Sequence, residues 1–258
     1  MSSKGEEANL AMVIRDRETS SGNVGALRLK SFFNSSKFSD FTIKVDDRDF
    51  RVHKIIMCGQ SEYFDRLFNG DWKEVRDDVV VLKEDDSGAV EAMIRFMYEN
   101  EYDSSGNSEE RISPMVFNVR VYRVADKYGV PALKQLSKEK LDHAANICWD
   151  MDDFPHVITD VYGTSECEEL RDTIARVSHE YMEALLKKDK FLRVLEETSG
   201  FAADLVRLMA AAHTTRTEYQ CPSCGGTWEA NFLPGRRYYC QLCGASYSDW
   251  SSYAVSRD

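Results

Sequence analysis

The chain has 258 residues, a formal charge of −11 and 43 % hydrophobic residues, which exceeds one domain of ~100 to 200 residues and predicts more than one unit. The acidic balance repels phosphate backbones and makes the chain as a whole a poor nucleic-acid binder unless a local patch overrides the field. The longest apolar stretches, Leu10–Ile14 and Ala210–Ala212, fall far short of the ~20 residues that cross a bilayer, and no signal-peptide pattern opens the chain, so an intracellular protein of the nucleus and/or cytoplasm with no membrane partner is expected.

Residues 1–23 are polar apart from Leu10-Ala11-Met12-Val13-Ile14 and read as a disordered tail. Ala26, Leu29, Phe32 and Phe33 fit one side of a helix. Phe41-Thr42-Ile43-Lys44-Val45 alternates with the period of two that sends every second side chain to one face of a strand. Asp46-Asp47-Arg48-Asp49 supplies turn chemistry and Phe50 and Val52 restore the alternation, which predicts a hairpin with Phe41, Ile43, Val45, Phe50 and Val52 on its inner face. Ile55-Ile56-Met57-Cys58 is too short and continuous for a solvent-facing helix and reads as a buried helical turn ended by Gly59. Ser61 is placed to cap the next helix, whose Phe64, Leu67 and Phe68 fall on one side and which Gly70 closes. Val79–Leu82 is a β-branched run of the kind found in strands covered on both faces. After the Asp85-Asp86-Ser87 start signal, Val90, Met93, Ile94 and Met97 form a helical stripe. Asp103–Glu110 is a Ser/Glu/Gly/Asn insertion without a pattern. Phe117, Val121, Val124, Ala125 and Tyr128 form a further stripe ended by Gly129, and Pro131 can open a helix with Leu133, Leu136 and Leu141 inward.

These residues together resemble the BTB/POZ domain. The string Phe50-Arg51-Val52-His53-Lys54-Ile55-Ile56-Met57-Cys58-Gly59-Gln60-Ser61-Glu62-Tyr63-Phe64 follows that family's signature nearly position by position. Val81–Asp86 looks like its next strand and loop, and Ala89–Tyr102 like the helix that follows, although Glu99-Asn100-Glu101 replaces a residue that is usually small. Val121–Leu133 completes the pattern, so the resemblance covers roughly 24 to 143 and is most similar to the variant abundant in filamentous fungi. It implies protein docking and homodimerisation through this domain, with Leu29, Phe32 and Phe33 as the expected dimer contact, the alternative being that this face packs on the domain's own core, and with Leu10–Ile14, otherwise part of the tail, as a strand that could be exchanged between protomers. It also implies that His53 is structural. Trp72-Lys73-Glu74 stands where relatives that bind a cullin scaffold carry a hydrophobic-x-acidic motif, so Trp72 and Glu74 are the expected partner-binding residues. Their bland alternative is an indole over the core edge beside a solvated carboxylate.

From 144 to 213 the chain reads as helix. Leu170, Ile174, Val177, Tyr181 and Leu185 step by four, three, four and four, as in one long amphipathic helix, and Phe201, Leu205, Leu208 and Met209 make another. Val157–Thr164 with Leu170-Arg171-Asp172 looks like the helical extension that follows fungal BTB domains.

The last segment, 214–258, carries a second strong signal. Cys221-Pro222-Ser223-Cys224 and Cys240-Gln241-Leu242-Cys243 are two CxxC pairs separated by 15 residues, the spacing of a four-thiolate zinc site. Gly225 and Gly244 follow the second cysteine of each pair, where a positive φ lets the turn bend back on the cation. This predicts one structural zinc on Cys221, Cys224, Cys240 and Cys243, in two knuckles joined by a hairpin, with Trp228, Phe232, Tyr238, Tyr239, Tyr247 and Trp250 packing around them. A thioredoxin-like pair lacks its βαβ context and leaves the second CxxC unexplained. A zinc deaminase needs an upstream HxE that is absent. A RING needs two metal sites, and iron in a rubredoxin-like arrangement stays open.

No phosphate loop, GxGxxG or HExxH occurs, and His53 has no Asp/Ser or Asp/Cys partner at motif spacing. Cys58, Cys148 and Cys167 read as small buried hydrophobes. Seven cysteines, odd in number and unevenly spread, argue against a secreted disulfide framework. The expectation is therefore an α+β chain with no catalytic residues. A disordered tail (1–23) precedes a BTB/POZ domain (24–143), a small sheet flanked by helices; an all-α extension (144–213) and a zinc-ribbon-like β module (214–258) follow. Its expected role is a non-enzymatic adaptor, in the first reading a substrate receptor of a cullin-RING ubiquitin ligase with an unnamed client. A transcription or chromatin cofactor using the ribbon and a purely structural oligomerisation unit are the alternatives. Arg236-Arg237-Tyr238-Tyr239 could touch nucleic acid by stacking and charge, but residues 214–258 are formally neutral, which weakens that reading.

Overall fold

The computed structural model describes residues 29–104, 112–214, 217–230, 232 and 237–255. The expectations for Leu10–Ile14, Ala26 and most of the Asp103–Glu110 insertion lie outside them. The chain divides into two compact units, Met1–Leu141 and Asp142–Asp258, the second containing both the later helices and the cysteine-bearing strands.

In the first unit, strands β1 (Phe41–Val45) and β2 (Arg48–Val52) form the expected hairpin, paired antiparallel with Phe41 opposite Val52 and Ile43 opposite Phe50. All five predicted inner-face residues are buried. The turn is shorter than the sequence suggested: β2 begins at Arg48, and Asp46 takes the left-handed conformation at φ 49°. Two short helices follow, α1 (Lys54–Cys58) and α2 (Glu62–Phe68). The Ser61 hydroxyl accepts from the Phe64 N–H at 3.1 Å and donates to the Tyr128 carbonyl at 2.6 Å, so the N-cap also ties α2 to a distant part of the chain. Helix α1 corrects one expectation. Met57 is buried, but Ile55 is 84 % exposed, because a single turn cannot turn four consecutive side chains toward one core.

A third short helix, α3 (Lys73–Arg76), precedes strand β3 (Val79–Leu82), which pairs parallel to β1 and gives the sheet order β2-β1-β3. Val80 and Leu82 are buried while Val81 is 55 % exposed, so this strand is covered on one face, not two. The Asp86 carboxylate caps α4 (Ser87–Glu99), accepting from the Ala89 N–H at 2.8 Å, and Val90, Met93, Ile94 and Met97 are buried as the stripe required. Asn100 ends α4 at φ 55°, a left-handed cap that asparagine tolerates better than most residues, which accounts for the departure from a small residue there. Helix α5 (Pro114–Lys127) packs on α4. Gly129 reverses the chain at φ 60°, and α6 (Pro131–Cys148) begins at the expected proline.

In the second unit, α7 (Phe154–Tyr162), α8 (Glu168–Glu180), α9 (Met182–Leu185), α10 (Asp189–Glu197) and α11 (Ser199–Thr214) follow the end of α6. Phe154, Ile158, Leu170, Ile174, Phe191 and Phe201 are buried in their core. The single long helix expected through Leu185 is interrupted at Tyr181, which leaves helical geometry at φ −104°, ψ 19° while its ring stacks on Trp149 at 4.3 Å. Met209 is exposed, not inward. The α10 helix falls in the stretch expected to be helical, although no stripe marked it as a separate element.

The cysteine-bearing segment folds as two hairpins, β4 (Thr217–Gln220) with β5 (Thr227–Ala230) and β6 (Tyr238–Tyr239) with β7 (Ser246–Tyr247), in separate two-stranded sheets. Each CxxC pair is the loop of its own hairpin, a correction to two knuckles joined by one hairpin.

Candidate functional site

Two places in the described residues carry the predicted site residues. The first is the corner between α2 and β3. Gly70, just past the end of α2, lets the chain turn, and Trp72 takes extended geometry as the residue before α3. The indole folds back over Gly70: a Cβ built on that glycine would stand 2.1 Å from the indole nitrogen. Sequence reasoning assigned Gly70 only the end of a helix; its second task, a bare seat for the indole, has its signal in a glycine two residues before the tryptophan. Trp72 is nevertheless 57 % exposed, and Glu74, in the first turn of α3, is exposed beside it. Burial raises the Tyr63 phenol pKa, and the Glu74 charge adds to the rise, so the carboxylate acts on the same corner. An Asp71–Arg76 pair at 2.7 Å spans the short helix. The corner thus exposes an apolar plane and, two residues on, an acidic group.

Elsewhere in the same unit, a network centred on His53 fixes the scaffold. The His53 and Tyr98 side chains meet at 2.7 Å through Nδ1, the His53 backbone N–H donates to the same phenol oxygen at 3.1 Å, and Nε2 stands 2.9 Å from the Lys37 carbonyl. The Tyr98 hydroxyl giving its proton to Nδ1 and Nε2–H donating to the carbonyl satisfies every one of these contacts with a neutral imidazole. Burial pushes the Tyr98 phenol up to about 12, keeping it a donor. His53 therefore joins the loop before α1 to α4. Cys58 lines an open groove with Gln60, Asp65 and Gly129, and its thiol is raised by burial and then by Asp65, the reverse of an activated nucleophile.

Of the expected dimer residues, Phe32 and Phe33 pack partly against this unit's own core. Phe33 lies edge-on to Tyr98 at 6.1 Å with the Arg95 guanidinium 4.3 Å from its ring centre. Leu29 is exposed, and a 3-10 turn at Lys30–Phe32 follows it.

The second place is the pair of cysteine loops. In each, the first cysteine is buried and the second exposed. In the first loop the Gly225 N–H donates to the Cys221 carbonyl at 2.8 Å and the Cys221 N–H to the Gly226 carbonyl at 2.9 Å. In the second, the Gly244 N–H donates to the Cys240 carbonyl at 2.9 Å and the Cys240 N–H to the Ala245 carbonyl at 2.8 Å. Gly225 and Gly244 adopt φ of 70° and 76°, as their positions required. The Sγ atoms of all four cysteines lie within 4.8 Å of one another. Burial opposes ionisation of Cys240, but N–H groups of Cys243 and Leu242 directed at its sulfur outweigh it and bring that thiol down to about 7. Around the loops, Trp250 is buried among Tyr219, Trp228, Phe232, Tyr247 and Tyr253, and its indole N–H donates to the Tyr238 carbonyl at 3.1 Å. The exposed Tyr239 and Arg237 stand on the second hairpin, while Arg236 lies outside the described residues.

Comparison with known proteins places the first of these regions. The BTB/POZ domain family model matches residues 29–145. Kelch-like protein 41b of Danio rerio is 30 % identical over 108 residues, covering 41 % of this chain and 16 % of the relative. Kelch repeat and BTB domain-containing protein 4 of Macaca fascicularis is 26 % identical over 113 residues, 44 % of this chain and 19 % of the relative. Kelch-like protein 15 of Gallus gallus is 26 % identical over 150 residues, 58 % of this chain and 29 % of the relative. The chain thus spans less than a third of the length of these relatives. Among solved structures, the BTB domain of human gigaxonin is similar with a TM-score of 0.36 and 18 % identity, covering 47 % of this chain and 93 % of that one. No helix among the described residues is long and apolar enough to cross a membrane. The signature segment from Phe50 to Phe64, its capped helices and the family match coincide, and residues 29–145 of this chain are a BTB/POZ domain.

Proposed function

We propose that the chain is a non-enzymatic protein–protein interaction adaptor whose BTB/POZ domain docks a cullin scaffold through Trp72 and Glu74, in the manner of a substrate receptor of a ubiquitin ligase. The observation that carries this reading is the half-exposed Trp72 indole, seated on Gly70 with the exposed Glu74 in the following turn. A fixed aromatic plane loses little conformational entropy on binding, and a neighbouring carboxylate sets orientation. The same domain self-associates in this reading, and the exposed Leu29 is the dimer residue left free of the unit's own core.

The full-length chain should capture a cullin in pull-down, and Trp72→Ala with Glu74→Ala should abolish the capture while leaving the thermal melting curve in place. Gly70→Ala should weaken capture as well, because its methyl group forces the indole off its seat with the tryptophan still present. Capture that survives the double substitution, or a wild-type chain that captures no cullin, would reject the proposal.

A further inference from the structure

Two hairpins in separate sheets, with different sequences, make the same turn and aim their sulfurs at one point. Across the loops the Sγ atoms of Cys221 and Cys243 stand 3.7 Å apart and those of Cys224 and Cys240 3.8 Å apart. A tetrahedron of sulfurs at ~2.3 Å from a central ion has edges of about 3.8 Å. A disulfide would need ~2.05 Å, and all four cysteines are free. Packing does not account for the convergence either, since Cys224 and Cys243 are exposed and gain nothing from burial.

The surrounding structure shows what such an ion would do. The strands are two to four residues long, shorter than an isolated hairpin needs to hold together in water. Two of the four buried hydrophobics in this cluster, Cys221 and Cys240, are members of the sulfur group itself. Across the loops, Leu242 of the second lies against Gly226 of the first, where an added Cβ would stand 2.2 Å from the leucine methyl. Apart from the sulfurs, the contacts among the described residues include an aromatic cluster around Trp250, a hydroxyl bond between Ser223 and Tyr247 that also links the two hairpins, and the Val255 N–H bonded to the Glu218 carbonyl at 2.8 Å.

We propose that Cys221, Cys224, Cys240 and Cys243 bind one zinc ion, and that this ion joins the two hairpins of residues 217–255 into one fold. All four positions are thiolate, so no place is left for a water or substrate and the ion is structural. Zinc is the assigned ion because four cysteines in two CxxC loops form a closed tetrahedral donor set that a structural zinc fills without redox chemistry, and metal analysis separates it from iron.

The test uses the full-length chain. Metal analysis should find one zinc per chain, falling about tenfold or more in Cys243→Ser and persisting in Cys243→His, whose imidazole can replace the thiolate, and in Cys58→Ser, which lies in the other unit. A chelator applied to the wild-type chain should accelerate amide exchange across 217–255 while β1, β2 and α4 keep their protection, and added zinc should restore it. One iron per chain would overturn the assignment of the ion. A wild-type chain that neither contains nor takes up zinc, or a chelated chain whose 217–255 exchange is unchanged, would overturn the proposal, and neither result depends on a variant that folds.

Discussion

The BTB/POZ sheet and the terminal hairpins both consist of short strands, yet they are stabilised by different means. In the first unit β1 is paired on both sides, and Phe41, Ile43, Val45, Phe50 and Val52 all meet a core built with α2, α4 and α5. Burial of each such side chain contributes roughly 1.5–3 kcal/mol, so many residues share the stability. In 217–255 the buried set is Tyr219, Cys221, Cys240 and Trp250, and half of it is sulfur. On the zinc proposal, the first region loses stability gradually by substitution, while the second depends on a single point where four side chains converge.

The largest expected effect on the first region comes from Phe64. Its ring is fully buried, stacked near Phe68 at 5.8 Å and Tyr128 at 5.9 Å, and thus joins α2 to the end of α5. Phe64→Ala should cost about 3–5 kcal/mol, read as a lower urea midpoint for the first unit. Exchange in 217–255 should not change, because the two regions draw on separate cores. If both regions lose protection together, the contrast between them is wrong.

A smaller effect sharpens the comparison, because each region turns on a glycine in left-handed conformation. Gly129, at φ 60°, has the Glu62 Cβ only 3.2 Å and the Glu62 backbone nitrogen 3.5 Å from the place of an added Cβ. Gly225, at φ 70°, has nothing within 4 Å. Both alanine substitutions carry the left-handed penalty of roughly 1–2 kcal/mol, but only Gly129→Ala adds crowding against a capped helix. Asparagine relieves the first term and not the second, so Gly225→Asn should regain much of the loss seen in Gly225→Ala while Gly129→Asn stays destabilised. Urea titration of the first unit and hydrogen exchange of the second measure the two pairs, and equal recovery at both positions would show that the conformational term alone governs them.

What the sequence made legible follows the same division. The alternation from Phe41 to Val52 named every buried residue of the hairpin, because a period of two has one structural meaning when a single face is covered. The Ser61 cap and the Asp85-Asp86-Ser87 start of α4 were legible for a local reason, since the Ser61 hydroxyl and the Asp86 carboxylate each accept from an N–H three residues on. The CxxC loops and their glycines were readable from spacing, but not the hairpins that hold them: β6 and β7 have two residues each, too short for any period. Val79–Leu82 was misread because a continuous β-branched run does not tell a doubly covered strand from one that leaves Val81 to solvent. Tyr181 kept the helical spacing although the helix stops there, since periodicity records which side chains face inward and not whether the backbone between them is continuous. Helix α10 belongs to the expected helical stretch but was not legible as a separate element, because it buries only Phe191 completely.

The smallest expected effect concerns Ile55, where an apolar run misled. Its side chain stands on the outer side of α1, next to Lys54, whose ammonium reaches Asp78 at 2.6 Å across the surface. An exposed side chain away from caps, cavities and networks contributes little, so Ile55→Ser should shift the first unit's stability by no more than about 0.5 kcal/mol, in contrast to Phe64→Ala nine residues along the same segment. Urea midpoints at two protein concentrations decide the matter. A loss of about 2 kcal/mol at high concentration that disappears on dilution would mean that a second copy covers Ile55, since only association makes the cost of a surface substitution depend on concentration. Equal small shifts at both concentrations place Ile55 outside any self-association surface and leave Leu29, exposed among the expected dimer residues, to be tested for that role.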